Sequence, residues 1–124
     1  MEKSLYEQVG GEQFFVRLVN AFYARVETSE ILRPMYPEDL TDAQRHLVLF
    51  LVQYWGGPTT YMQERGHPRL RMRHAPFHID AQARDAWLDA MNSALATVRA
   101  ELDAEQFEEL RAYFDMAARQ MRNV

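Results

Sequence analysis

Apolar side chains recur at three- and four-residue steps in four stretches of the chain, the repeat that gives a helix one apolar face. The first stretch runs through Phe15, Leu18, Val19, Phe22 and Val26, and the second through Leu47, Phe50, Leu51 and Tyr54. The third carries Ala83, Trp87, Met91, Ala94, Leu95 and Val98, and the fourth Phe107, Leu110, Phe114, Ala117 and Met121. Their starts are marked by residues that cap exposed backbone N–H groups. Asp80 precedes the third stretch, Asp103 and Gln106 open the fourth, and Thr41 and Gln44 have capping-box spacing ahead of the second. Only a few residues separate the last two stretches, which predicts an antiparallel pair.

Shorter pieces fill the gaps. Ser4 and Glu7 open a short helix that packs through Leu5, Tyr6 and Val9 and stops at Gly10-Gly11. Thr28-Ser29 can cap one further turn, expected to end near Arg33 because Pro34 follows. Residues 34–40 form a stiff connection, with prolines on both sides of Tyr36. Gly56-Gly57-Pro58 ends the second helix, and Thr60 to Glu64 add a turn or two before Gly66. The run RLRMRH alternates charged and apolar residues, which alone would read as a strand. A lone strand has no partner among helices, so a short helix or turn between Pro68 and Pro76 is the better reading. The expectation is an all-α protein with residues 1–124 in a single domain.

Composition narrows the chemistry. Fourteen lysines and arginines against eighteen carboxylates give a net charge of −4, without the basic face of a nucleic-acid protein. With no cysteine, disulfides, thiolate metal sites and a cysteine nucleophile are excluded. No long apolar run and no signal pattern occur, so a cytoplasmic protein without membrane insertion is expected. Neither a nucleophile elbow nor a glycine-rich phosphate loop is present.

Three of the four histidines, His67, His74 and His78, lie in HPRLRMRHAPFHI, with Arg69, Arg71 and Arg73 among them and Arg65 just upstream. His74 and His78 have the spacing of a helical zinc pair, but Pro76 breaks the helix that would align them. A third ligand is also missing, since carboxylates begin only at Asp80. A single imidazole at His74 beside an apolar helical core suits haem instead, with cationic or hydroxyl partners for the propionates. Each histidine also has a plain reading as a surface or hydrogen-bonded residue, and Trp87 and Tyr23 as core packing.

Further marks are Gly10-Gly11, Phe22-Tyr23, the run YPED from Tyr36, QYWGGP from Gln53, RGHPRLRMRHAPF from Arg65, and Trp87 in RDAWL. On these, from about Ser4 to Met121, the chain resembles the group II truncated haemoglobins, most of all their actinobacterial branch. The resemblance implies two helix pairs packed two-on-two around haem b. It places the proximal iron ligand on His74 and the distal polar residues on Tyr23, Tyr36 and Trp87. Ala43 and Leu47 fall on the distal helix, where neither offers a hydrogen bond. Arg73, Tyr61 and His46 are propionate candidates from local chemistry and approximate family position.

Two functions share such a pocket. One is tight binding of dioxygen and other diatomic ligands, for storage, sensing or scavenging. The other is redox turnover, peroxidase-like or nitric-oxide-oxidising. No flavin site or reductase domain is present, so that cycle needs an external reductase. A helical interaction module without cofactor is the third reading. Monomer and homo-oligomer both stay open.

Overall fold

A computed structural model describes residues 2–124. It is 71% helix and has no strand among the described residues. The helices are α1 (Leu5–Gln8), α2 (Glu12–Thr28), α3 (Thr41–Tyr54), α4 (Thr60–Arg65), α5 (Leu70–His74), α6 (Ala81–Thr97) and α7 (Ala104–Met121). Single 3-10 turns span Arg33–Met35 and Arg99–Glu101. No helix among the described residues is long and apolar enough to cross a membrane.

The helix starts follow the sequence in three cases of four. Ser4 Oγ accepts from Glu7 N at 3.3 Å, Asp80 Oδ1 from Ala83 N at 2.9 Å, and Asp103 forms a full capping box with Gln106. The fourth expectation fails. Thr41 is the first residue of α3, not its cap, and no side chain caps Leu40. The Asp39 carboxylate, two residues earlier, accepts the Thr41 N–H instead, at 2.9 Å. Ser29 caps a turn as expected, its Oγ accepting from Leu32 N at 3.1 Å and its carbonyl from Arg33 N at 3.0 Å. A 3-10 turn then continues over Arg33–Met35 with Pro34 in it, because a ring within the first turn loses only an N–H that has no partner there.

α2 is the centre of the core. It packs on both α3 and α6, and α6 packs on α7, so the two long pairs cross as a two-on-two sandwich. Phe14, Phe15, Leu18, Val19, Phe22 and Val26 of α2 are all fully buried. They meet Leu51 of α3, Met91 and Leu95 of α6, and Leu110 and Phe114 of α7. Each such side chain contributes roughly 1.5–3 kcal/mol, which fixes the faces read from the sequence. Tyr54 departs from that reading. It is 51% exposed and lies against Tyr113, ring centroids 4.2 Å apart.

Glycine permits one close crossing. A Cβ on Gly57 would lie 2.6 Å from Val52 Cγ1 and 2.8 Å from the Tyr6 ring, so α1 can lie over the end of α3 only without it. Tyr6 N donates to Trp55 O there at 3.1 Å, and the Trp55 indole N–H donates to Glu109 Oε2 at 2.7 Å, tying α1, α3 and α7 together. Long helices built on this frame leave the short α4 and α5 to close one side.

Candidate functional site

Between the helix pairs lies a cavity of about 570 Å³, within the roughly 300–1,000 Å³ range of cofactor pockets. Its walls come from α2 through α7 and are mainly apolar, with Phe22, Leu47, Phe50, Leu51, Ile79 and Phe114 among them. The sequence-derived residues converge here. Tyr23, Tyr36, His46, Leu47, Tyr61, Arg73, His74 and Trp87 all line this one space, although 64 positions separate Tyr23 from Trp87.

His74 is held by its own helix. Its Nδ1 lies 2.7 Å from the Leu70 carbonyl oxygen. A carbonyl can only accept, so Nδ1 carries a proton, and the tautomer this contact selects has its lone pair on Nε2. That is the tautomer with which an imidazole binds a metal through Nε2, and the backbone sets the ring's orientation. α5 itself is short because the chain enters it through Arg69 in the left-handed region (φ 44°) and leaves at Ala75 before Pro76.

The polar aromatics form a second group. Tyr23 and Tyr36 meet edge to face, centroids 5.6 Å apart, and Trp87 tilts against Phe22 at 5.4 Å. Burial pushes the Tyr23 phenol well above its ordinary pKa, and the neighbouring Tyr36 adds to the shift. Burial likewise pushes Tyr36 up to about 12, opposed by the nearby Trp87 indole. Both phenols are therefore neutral O–H groups at physiological pH and can donate. The indole N–H can only donate.

The rim is cationic but partly engaged. Arg65 Nη1 lies 2.6 Å from His46 Nδ1, and its guanidinium sits 5.8 Å from the Tyr61 ring centre. Burial and the adjacent Arg65 charge lower the His46 pKa, so this ring accepts from the guanidinium as a neutral base. Arg73 also lines the cavity, with part of its guanidinium turned to the chain. Its Nε donates to Pro68 O at 2.7 Å and its Nη2 to Arg65 O at 2.9 Å, so it braces the loop into α5. Tyr61 is buried in the wall, edge to face with Phe50.

Sequence reasoning missed two contributors. Arg65 and Arg84 both line the cavity, yet neither was singled out as a rim residue. Arg65 had a signal, since it falls one helical turn from Tyr61 on the same face. Arg84 had none.

These residues fit haem. Among the described residues no three His, Cys, Asp or Glu side chains gather to hold a bare metal ion. Iron in this cavity would need its remaining ligands from a macrocycle, for which the apolar walls provide the surface and Arg65, His46 and Arg84 the rim. A helical sandwich with one oriented imidazole and a cluster of buried donors around an apolar cavity has the features of a globin. The chain belongs to the bacterial-like globin family, whose model matches residues 4–123.

Relatives agree. The group 2 truncated haemoglobin YjbI of Bacillus subtilis is 42% identical over 118 residues, covering 95% of this chain and 87% of that one. The thermostable haemoglobin of the actinobacterium Thermobifida fusca is 50% identical, with a TM-score of 0.95 over 98% of both chains. A truncated oxygen-avid haemoglobin from Bacillus subtilis is 42% identical, with a TM-score of 0.91, covering 98% of this chain and 100% of that one. Globin-type haem ligand binding follows from this family membership.

Proposed function

We propose that this protein holds haem b through His74 as its one axial protein ligand and binds dioxygen and other diatomics tightly. Haem supplies a ferrous iron that shares electron density with such a ligand, leaving negative charge on it. The protein's own residues do the rest. The observation that carries the reading is the His74 Nδ1 contact to the Leu70 carbonyl, which leaves Nε2 free on a side chain lining an apolar cavity.

The Trp87 indole and the Tyr23 and Tyr36 phenols supply donors in a space with little water. A hydrogen bond to a charged acceptor there contributes roughly 1.5–3 kcal/mol, about tenfold to a hundredfold in affinity. Two or three such donors slow release and make a poor carrier. The oxygen avidity named for the Bacillus subtilis relative supports the same behaviour here. Arg65, His46 and Tyr61 are the propionate partners, with Arg73 acting through the loop it braces. The cytoplasm, whose reductants keep iron ferrous, is the compartment this chemistry needs.

Titration of the purified protein with haem, followed by absorption and resonance Raman spectra, tests the reading. One equivalent should bind, and the ferrous form should show an iron–imidazole stretch. A bis-histidine or haem-free spectrum would overturn it.

A further inference from the structure

Residues 65–79 hold four arginines, three histidines and no carboxylate. All eighteen carboxylates and the other ten lysines and arginines lie elsewhere, so this segment carries +4 against −8 for the rest of the chain. Two of its arginines are committed, Arg65 to His46 and Arg73 to loop carbonyls. Arg69 and Arg71 are exposed and join none of the six ion pairs among the described residues. Met72, next to Arg71 in the chain, is 59% exposed, and Phe77, just past the end of α5, is 44% exposed. Arginine, methionine and phenylalanine are the residue types enriched at protein–protein interfaces. The patch also backs on to the cavity: Leu70 and His74 of the same helix line it, and so does Phe77.

We propose that Arg69, Arg71, Met72 and Phe77 form the docking surface for an acidic electron-donor protein that returns the iron in the cavity from ferric to ferrous. The inference rests on the haem reading above. One electron passes from the partner's reduced cofactor to ferric iron, which becomes ferrous; the partner is oxidised by one electron, and no bond in this chain forms or breaks. Charge complementarity selects the partner class. A small acidic protein meets the +4 segment while its far side stays beyond the Debye length of about 8 Å from the acidic remainder. An extended polyanion, whether nucleic acid or an anionic bilayer, also runs alongside the −8 remainder and is repelled by it. The exposed Met72 and Phe77 then add apolar contact area to the arginine charge.

The test uses haem-loaded protein and reduced flavodoxin as the acidic donor, with cationic hexaammineruthenium(II) as a control reductant. For the wild type, the flavodoxin rate should fall steeply as salt rises. In Arg69→Glu/Arg71→Glu it should drop by about tenfold at low salt and lose most of that salt dependence. The same variant should leave the Soret band unchanged and should not be slower with the ruthenium complex. Backbone amide shifts from a titration with oxidised flavodoxin should cluster at residues 69–77. A normal Soret band with equal flavodoxin rates in both proteins would overturn the docking surface and leave the haem reading standing. Shifts centred elsewhere, or tight binding of the patch to anionic vesicles, would also overturn it. Failure to load haem would remove both.

Discussion

Asn123 and Ile79 are joined by two hydrogen bonds across 44 residues of chain. Ile79 N donates to Asn123 Oδ1, and Asn123 N donates to Ile79 O, both at 2.9 Å, while Val124 N reaches the same Ile79 oxygen at 3.2 Å in support. Asn123 Nδ2 adds bonds to Phe77 O at 2.9 Å and His74 O at 3.4 Å. The end of the chain thus fixes the segment that follows α5. Asn123→Ala removes the side-chain bonds and leaves the two backbone ones. At about 0.5–1.5 kcal/mol for each good bond, a loss of about 1–3 kcal/mol is expected, felt locally at the His74 side of the cavity. Haem transfer to an acceptor protein should quicken, with little change in secondary structure by circular dichroism. Unchanged haem loss would show that α5 holds its position without the clamp.

His74→Gly should lose haem or retain it only with added imidazole, because no other histidine lines the cavity from α5. His67 and His78 are exposed, and His78 lies 3.6 Å from Asp80, so alanine at either should leave the Soret band in place. The ferrous absorption spectrum decides. An unchanged spectrum in His74→Gly would mean that the iron ligand lies elsewhere.

Alkaline stability should depend on Tyr36. Its folded pKa of about 12 lies above the ordinary 10.0, so the folded protein holds the proton more tightly. The stabilisation is complete below pH 10 and is lost as the pH climbs from 10 through about 12. The difference corresponds to about 3 kcal/mol. Urea unfolding at pH 8 and at pH 11 measures it. Tyr36→Phe should show a smaller loss between the two pH values than the wild type, and equal losses would show that other groups govern alkaline unfolding.

The four long helices were legible because their apolar faces and most of their caps are local patterns. Ser4, Asp80 and Asp103 each act within three residues of themselves. Thr41 misled because Asp39, two residues before it, accepts its N–H while Gln44 N bonds the Leu40 carbonyl, which puts Thr41 inside the helix. Tyr54 misled because periodicity cannot tell a core position from one at the edge of a face, where an aromatic neighbour such as Tyr113 shields only part of the ring. Within the candidate site, the residue identities came from motifs, and the structure gathers them around one cavity. Their pairings were not legible. That Arg73 spends its donors on loop carbonyls, that Arg65 pairs with His46, and that Asn123 clamps Ile79 all depend on backbone placement. No spacing rule encodes contacts of that kind.

On the distal side, Trp87 should dominate ligand release. Its ring is wedged between Phe22 and Phe114, centroids 5.4 and 6.0 Å away, so it is positioned by packing before any ligand enters. Being a donor only, it can stabilise a negatively charged ligand but cannot take a proton from one. The two phenols can both donate and accept, and their rings are in contact, so one can partly replace the other. Trp87→Phe keeps an aromatic ring against Phe22 and removes the N–H. Losing a bond of about 1.5–3 kcal/mol should raise the oxygen off-rate roughly tenfold to a hundredfold, with the on-rate less affected. Tyr23→Phe should give a smaller rise. Trp87→Phe combined with Tyr23→Phe should depart from additivity, because both donors serve one ligand. Stopped-flow oxygen dissociation from the ferrous proteins measures all three. If Trp87→Phe released oxygen at the wild-type rate, the indole would be packing alone, and retention of oxygen would have to rest on the phenols.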